Sequence, residues 1–294
     1  MTLGAAAAYH RAMPTGADLI ADIDAFRPDA GRFAFWWLGQ QGFALKMATE
    51  TGAAVIYVDA YLSDSSSRTV PPVVAPGEVT NADLVLGTHD HSDHIDRGAW
   101  PEVAEASPGA VFVVPELHAE KLAGDLGLPR ERLVGLDDGR SAELSGVKVS
   151  AVASAHEFLD PDAKTGLHPY LGYVIETEDF TVYHAGDTCR YEGLWGRLSK
   201  WILDLAFLPI NGRDARRLRA NCIGNMTYQE AADLAGDLTV GLTVPGHYEM
   251  FESNSEDVDL FVDYMRVKYP ELAALAPGHG ERVVVPVEGA GGGS

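Results

Sequence analysis

The chain has 294 residues, with 22 Lys and Arg against 43 Asp and Glu, for a net charge of −21. That acidity excludes the cationic footprint that nucleic acid or an anionic membrane requires, yet a small anionic substrate held by a local basic cluster stays open. Hydrophobic and charged contents of 46% and 22% are ordinary globular values and exclude wholesale disorder, and a chain this long buries about three-quarters of its unfolded surface without covalent staples.

Residues 1–30 predict a helical lead-in, with Asp18, Asp22 and Asp24 among apolar positions. Strand-like runs at 33–38 and 53–58, separated by Gly-containing turn residues, predict a hairpin or meander. After a Ser- and Pro-rich loop, the short apolar run 82–86 ends directly in Gly87-Thr88-His89. A helix near 97–105, a strand at 110–114 and a helix at 116–125 come next. Further strands are expected at 147–152, 170–176, 180–184 and 204–209. Residues 227–234 predict a helix with Thr227 as N-cap and Glu230 three positions on, the capping-box pattern. Residues 242–245 form the last clear core strand, followed by a helix over 257–269. The expected organisation is the lead-in 1–30, one catalytic domain over 31–288 and a flexible tail at 289–294. Antiparallel strands first and helix-alternating strands later predict a layered α/β fold, two sheets with helices outside. Cys189 and Cys222 read as reduced thiols, no run approaches the ~18 apolar residues of a membrane span, and residues 3–8 lack a basic flank, so a cytoplasmic protein is expected.

The chemistry concentrates in Thr88-His89-Asp90-His91-Ser92-Asp93-His94-Ile95-Asp96, three His and three Asp at the exit of an apolar strand. His89 and His91 are two apart, so an extended chain points both rings to one side. Neutral imidazoles with a carboxylate suit Zn²⁺, and also Mn²⁺ or Fe²⁺ when oxygen ligands are added. Three later residues also sit just past strand ends: His156 after 147–152, Asp187 after 180–184, and His247 after 242–244. Strand ends converging on one edge are where open α/β architectures build their sites.

These segments resemble the metallo-β-lactamase superfamily, and within it the L-ascorbate-6-phosphate lactonase (UlaG-like) branch. The resemblance is carried by Trp37-Leu38-Gly39-Gln40-Gln41-Gly42-Phe43, Val58-Asp59-Ala60-Tyr61-Leu62-Ser63, the His/Asp run, Tyr183-His184-Ala185-Gly186-Asp187-Thr188, Ile223-Gly224-Asn225-Met226-Thr227 and Val244-Pro245-Gly246-His247-Tyr248. It implies an αββα sandwich of two mixed sheets with outer helices. It also implies two divalent metal ions, Zn²⁺ or Mn²⁺, with His89, His91 and His156 on one, Asp93, His94 and His247 on the other, and Asp187 bridging. A carboxylate can bridge cations roughly 3.5–4 Å apart, and a metal-activated water supplies hydroxide near neutral pH. Asp93 is expected to orient or deprotonate that nucleophile besides acting as a ligand. Flavo-diiron oxidoreductases of this fold carry Glu where this chain has His91, so His91 favours hydrolysis. The function implied is hydrolysis of a small anionic lactone or ester; the alternatives are a metal-dependent phosphodiesterase and a non-catalytic metal sensor, and a homo-oligomer is compatible with the resemblance.

Other residues are weaker candidates. Arg213, Arg216, Arg217 and Arg219 follow the strand 204–209 and fit either an anion-binding loop or a solvated helix face. Arg213, with Asn211, is the expected substrate contact, and His168 is a further one. Tyr248 is expected to donate to a developing oxyanion. Cys189 reads as an inert thiol, Asp59 and Asp64 as shaping the loop beneath the metals, His184 as packed behind the site, and His279 as surface.

Overall fold

Alternation along one buried strand sets the layers. In β1 (Phe33–Gly39) every residue is buried. Phe33, Phe35 and Trp37 enter one core cluster, while Ala34, Trp36 and Leu38 enter another. A strand apolar on both sides must be covered on both sides, so β1 belongs to an inner sheet with packing partners above and below. The computed structural model describes residues 13–219 and 221–286. The tail 289–294 and the start of the lead-in lie outside the described residues.

The first seven-stranded sheet runs in the order β14 (Arg282–Val285), β1, β2 (Gly42–Thr49), β3 (Gly52–Val58), β4 (Leu84–Leu86), β5 (Val111–Pro115) and β6 (Leu133–Leu136). Its strands pair antiparallel from β14 to β3 and parallel from β3 to β6. The second sheet runs β13 (Ala273–Ala274), β12 (Leu242–Gly246), β11 (Leu205–Pro209), β10 (Thr181–His184), β9 (Leu171–Glu176), β8 (Val147–Ala153) and β7 (Ser141–Leu144). It is parallel from β13 to β10 and antiparallel from β10 to β7. Phe35 and Phe43 of the first sheet pack on Phe207 of the second, with ring centroids 5.2 and 3.8 Å apart. Helices α1 (Ala17–Ala25), α2 (Trp100–Ala106) and α3 (Glu116–Leu126) cover the outer face of the first sheet with Leu19, Trp100 and Leu122. Helices α4 (Leu194–Leu198), α6 (Tyr228–Leu238) and α7 (Val258–Lys268) cover the second with Leu194, Leu234 and Phe261. The short α5 (Ala215–Arg219) buries no residue. This is the expected αββα sandwich of two mixed sheets.

The runs 33–38 and 53–58 belong to a meander, one of the two expected forms, with β2 standing between them. Lys46 interrupts the apolar run of β2, but its Nζ donates to Ile23 O and Asp24 O at 2.9 Å each, a cation on the carbonyl end of α1. One local reading needs correction: β12 is not the last core strand, since β14 closes the first sheet against β1. The capping box at α6 is present as expected, Thr227 accepting from Glu230 N and Glu230 from Thr227 N.

Strand direction then gathers one edge. β3 and β4 are parallel, β10, β11 and β12 are parallel, and β8 runs with β10 because both are antiparallel to β9. Within each sheet the C-terminal strand ends therefore open together, and they carry Asp59, His89, His156, Asp187, Asn211 and His247.

Candidate metal centre

The strand ends bring the expected ligands into one cluster. Three triads each hold their ligand atoms within 4.8 Å of one another: His89, His91 and His156; Asp93, His94 and His247; and His89, His94 and Asp187. The third triad shares one residue with each of the others, so Asp187 stands between the two groups of histidines. Its Oδ1 lies 3.4 Å from His94 Nε2, and its Oδ2 lies 3.1 Å from His247 Nε2 and 3.8 Å from His156 Nε2. His89 Nε2 and His91 Nδ1 approach to 2.9 Å.

The backbone is held in uncommon conformations to achieve this. Gln40, Asp59, Glu157 and His247 are non-glycine residues at positive φ, a cost that persists where surrounding structure over-determines it, often at functional sites. Gly186, at φ 58°, leads into Asp187, and a Cβ there would sit 2.7 Å from Leu171 O and 2.8 Å from Thr88 Cβ. Only glycine brings Asp187 this close to the His89 strand end.

Asp59 organises the histidines from behind. Its buried carboxylate accepts from Thr88 N at 2.8 Å, from Thr88 Oγ1 at 2.7 Å and from His94 Nδ1 at 2.7 Å. Because the Thr88 hydroxyl proton goes to Asp59, Thr88 Oγ1 is left to accept from His89 Nδ1 at 3.0 Å. Both rings therefore present Nε2 to the cluster, the arrangement that metal-ligating histidines take from a carboxylate partner. Asp64 is exposed and, among the described residues, its side chain accepts a hydrogen bond from Ser65 N alone. His184 is buried, its Nε2 donating to Gln41 O at 2.8 Å while Nδ1 accepts from Gly186 N at 3.2 Å.

Charge is divided within the cluster. Burial holds His89 well below and His91 below the ordinary imidazole value, and holds His156 at about 4, so these rings are neutral. Burial opposes the charge on His94 as well, but Asp187, Asp59 and Asp93 outweigh it and raise its pKa to about 10. Burial likewise opposes ionisation of Asp187, and His247 and His94 outweigh it, keeping the carboxyl well below its usual range. The donor set tests well for a divalent cation: His94 Nε2, His156 Nδ1 and Asp187 Oδ1 are buried with no hydrogen-bond partner among the described residues. Orphaned buried donors and acceptors of this kind are costly unless something else satisfies them.

The family model described as a beta-lactamase superfamily domain matches residues 55–248. The chain belongs to that superfamily. A metal-dependent hydrolase of Pyrococcus abyssi is 29% identical over 82% of this chain and 96% of its own length. Another from Nitratidesulfovibrio vulgaris is 27% identical over 82% of this chain and 92% of its own. Among solved structures, a metallo hydrolase from Ignicoccus hospitalis aligns with a TM-score of 0.63 and 21% identity, over 86% of this chain and 98% of that one. That likeness is one of fold.

The remaining candidates of this superfamily member are placed less centrally. Arg213 lines a cleft beside the cluster, but its guanidinium is bound bidentately by Glu230 at 2.6 Å on each arm and also donates to Asn225 O. Arg217 is likewise tied to Asp214 and Ser255 O. Two of the four arginines are therefore engaged, Arg213 by the acid of the capping box and Arg217 by a neighbouring aspartate, while Arg216 and Arg219 are exposed. Asn211 is buried and donates at 2.7 Å to Asn254 Oδ1, a residue of the cavity wall that includes Asp93. His168 is held by Asp137, whose Oδ1 lies 3.0 Å from Nδ1, and it joins none of the triads. Tyr248 stacks on Trp37, ring centroids 4.6 Å apart, inside the core. His279 was expected at the surface and instead lies on the same Trp37 at 4.1 Å, half-buried. Burial pushes the Cys189 thiol up, consistent with an inert side chain.

Two neighbours were not singled out from sequence. Gln40 Nε2 reaches Asp93 Oδ2 at 3.1 Å and the His247 ring at 3.2 Å, tying two ligands of one triad together. Its segment was part of the resemblance, and its positive φ was the missing cue. Tyr170 rests against the other triad, its ring 5.4, 6.1 and 5.2 Å from those of His89, His91 and His156. An aromatic at the start of a strand reads as core, so nothing in the sequence marked it.

Proposed function

We propose that this protein is a dinuclear metal-dependent hydrolase of small lactones or esters, sharing the metal chemistry of the L-ascorbate-6-phosphate lactonase branch but not its anionic substrate. The observation that carries the reading is the triad of His89, His94 and Asp187, which links two further ligand triads through shared residues. Seven side chains are too many for one tetrahedral ion and suit a pair. His89, His91, His156 and Asp187 would hold one cation, and Asp93, His94, His247 and Asp187 the other; Zn²⁺ and Mn²⁺ both accept this donor mixture. A bound pair supplies Lewis acidity and a water whose pKa falls to about 7.

The protein's own groups do the rest. Asp93 is the ligand candidate with a partly open carboxylate, 20% exposed, and Gln40 fixes one of its oxygens. Its other oxygen is free to take a proton from the attacking water at the cleft face, the task of a positioned general base. Tyr170 walls the imidazole side and limits water there. The expected anionic substrate loses its main support, since Arg213 is already paired with Glu230. A net charge of −21 and the free thiols of Cys189 and Cys222 support a cytoplasmic enzyme with no polyanionic partner. Among the described residues no helix is long and apolar enough to cross a membrane.

The test is metal loading followed by elemental analysis, with lactone, ester, phosphodiester and β-lactam panels assayed on the same preparation. About two ions per chain and turnover of lactones or esters above the other classes is the expected result. One ion or none, or turnover confined to phosphodiesters, overturns it.

A further inference from the structure

Beside the cluster lies a cavity of about 390 Å³. It is built by residues one or two positions beyond two ligand candidates, Glu157 and Phe158 after His156 and Cys189 after Asp187, together with Arg213, Asp214, Leu218, Cys222, Ile223 and Gly224. The chain itself joins these walls, since Cys189 N donates to Ala155 O and Met226 N to Thr188 O. Cys222 lines this cavity and also a second one, of about 440 Å³, whose wall includes Asp93. The two cavities thus adjoin at Cys222, on the side of the cluster where Asp93 is exposed.

The walls are apolar where they need not be. Phe158, Leu218 and Ile223 are 68%, 65% and 40% exposed, and all three line the cavity. Exposed large hydrophobics grouped around a concavity mark a contact surface. The charged groups on the wall are Glu157, Asp214 and Arg213. Arg213 is neutralised by Glu230, and Asp214 is paired with Arg217. Among the described lining residues Arg213 is the one cation and it is paired, while Glu157 repels an incoming anion.

We propose that this cavity is the specificity subsite and that it selects a neutral, apolar substituent on the ester or lactone, against the anionic substituent expected from the arginine cluster. The proposal rests on the hydrolase reading above for its substrate class. The subsite itself is testable by binding alone, which keeps the two separable.

The binding arm uses N-phenyl-1-naphthylamine, a neutral fluorescent probe, on the full chain. Ile223→Asp and Leu218→Asp should each raise its Kd about tenfold, the effect of putting a charge into a small apolar pocket. Ile202→Asp, at an exposed apolar residue outside this cavity, should leave Kd unchanged. Circular dichroism confirms that each variant folds, and Phe158→Ala is the milder partner should an aspartate variant misfold. The kinetic arm compares 4-nitrophenyl phenylacetate with the 4-nitrophenyl monoester of succinic acid on metal-loaded protein. The expected ratio of kcat/KM favours the phenylacetate by about tenfold, and Ile223→Asp should erase that preference.

Probe binding lost in the cavity variants with no ester turnover leaves the subsite standing and removes the hydrolase reading. Turnover with equal or reversed preference leaves the hydrolase reading standing and overturns the subsite. Probe binding that is absent in the wild type, or equally weakened by Ile202→Asp, also overturns it. So does light scattering in which Leu218→Asp splits an oligomer while the probe's Kd stays fixed, because the patch then serves contact between copies.

Discussion

Asp59→Asn is the most informative single change, because Asp59 touches neither the cleft nor any proposed ion. The carboxylate accepts three hydrogen bonds, two from Thr88 and one from His94 Nδ1. An amide keeps one acceptor oxygen and presents an NH₂ where the second oxygen was. The oxygen can keep Thr88 N, but the amide nitrogen then faces Thr88 Oγ1 and His94 Nδ1. Both of those groups currently donate to that position, so one or both must turn over. A His94 ring that accepts at Nδ1 carries its proton on Nε2, the atom aimed at Asp187 and Asp93. It can then bind a cation only after another change of tautomer. Loss of such a carboxylate partner behind a ligating histidine typically weakens metal binding about 10–100-fold, which is about 1.4–2.7 kcal/mol. One or both of these buried hydrogen bonds to a charged group are also lost, costing on the order of 1.5–6 kcal/mol in the fold. Chelator-competition titrations give the affinity, and urea melts of the metal-free protein give the stability. In metal-free protein the His94 imidazole should also titrate well below its wild-type value of about 10, as read by NMR. Metal affinity unchanged within about twofold, in a variant shown to be folded, would refute the tautomer argument.

Asp187→Asn should disturb both ions while His156→Ala mainly empties one, because Asp187 lies between the triads and His156 belongs to a single triad; metal counting that finds two tightly held ions and near-normal turnover in Asp187→Asn sinks the bridge. Apparent metal affinity should rise with pH, since His94 is held protonated up to about 10 and must release that proton to ligate; the expected slope is about tenfold per pH unit between pH 7 and 9, and a flat profile contradicts it. Arg213→Ala should change KM equally for phosphorylated and neutral substrates, because Glu230 and Asn225 O occupy the guanidinium; a rise confined to the phosphorylated substrate would restore Arg213 as an anion contact. Stability should fall little in that variant, within about 1 kcal/mol, as expected for a partly exposed ion pair.

What the sequence made legible followed from burial. Strand β11 is covered on both faces and reads as an unbroken apolar run, and β12 as one broken by the buried Thr243 alone, while α6 announces its start through Thr227 and Glu230. The elements that escaped notice lack such signals for physical reasons. β7 is an edge strand with an exposed and half-exposed pattern, α4 and α5 have five residues each and too few turns for a period, and β2 carries Lys46, whose charge is satisfied by a distant helix end. Residue type and position at strand ends likewise pointed to His89, His91, His94, His156, Asp187 and His247, which the fold brings into one cluster.

Direction and partnership were harder to read. Arg213 and His168 have the right chemistry for a substrate contact, yet Glu230 and Asp137 lie within reach and occupy them. A chain with 43 acids and 22 bases gives most of its cations an acidic neighbour somewhere in the fold, so an arginine near a site is weak evidence for an anionic ligand. The acids are different, because they outnumber the cations. Asp59 and Asp187 are deeply buried and find no Lys or Arg partner among the described residues. Their positive partners are histidines, and only part of that charge is present, since burial keeps His89 and His156 neutral. His94 is the charged imidazole that both carboxylates share, so their buried negative charge is only partly compensated as it stands. A divalent cation offers the missing charge and takes the neutral nitrogens as ligands at the same time. The same imbalance that weakens the case for Arg213 thus strengthens the case for the metal centre.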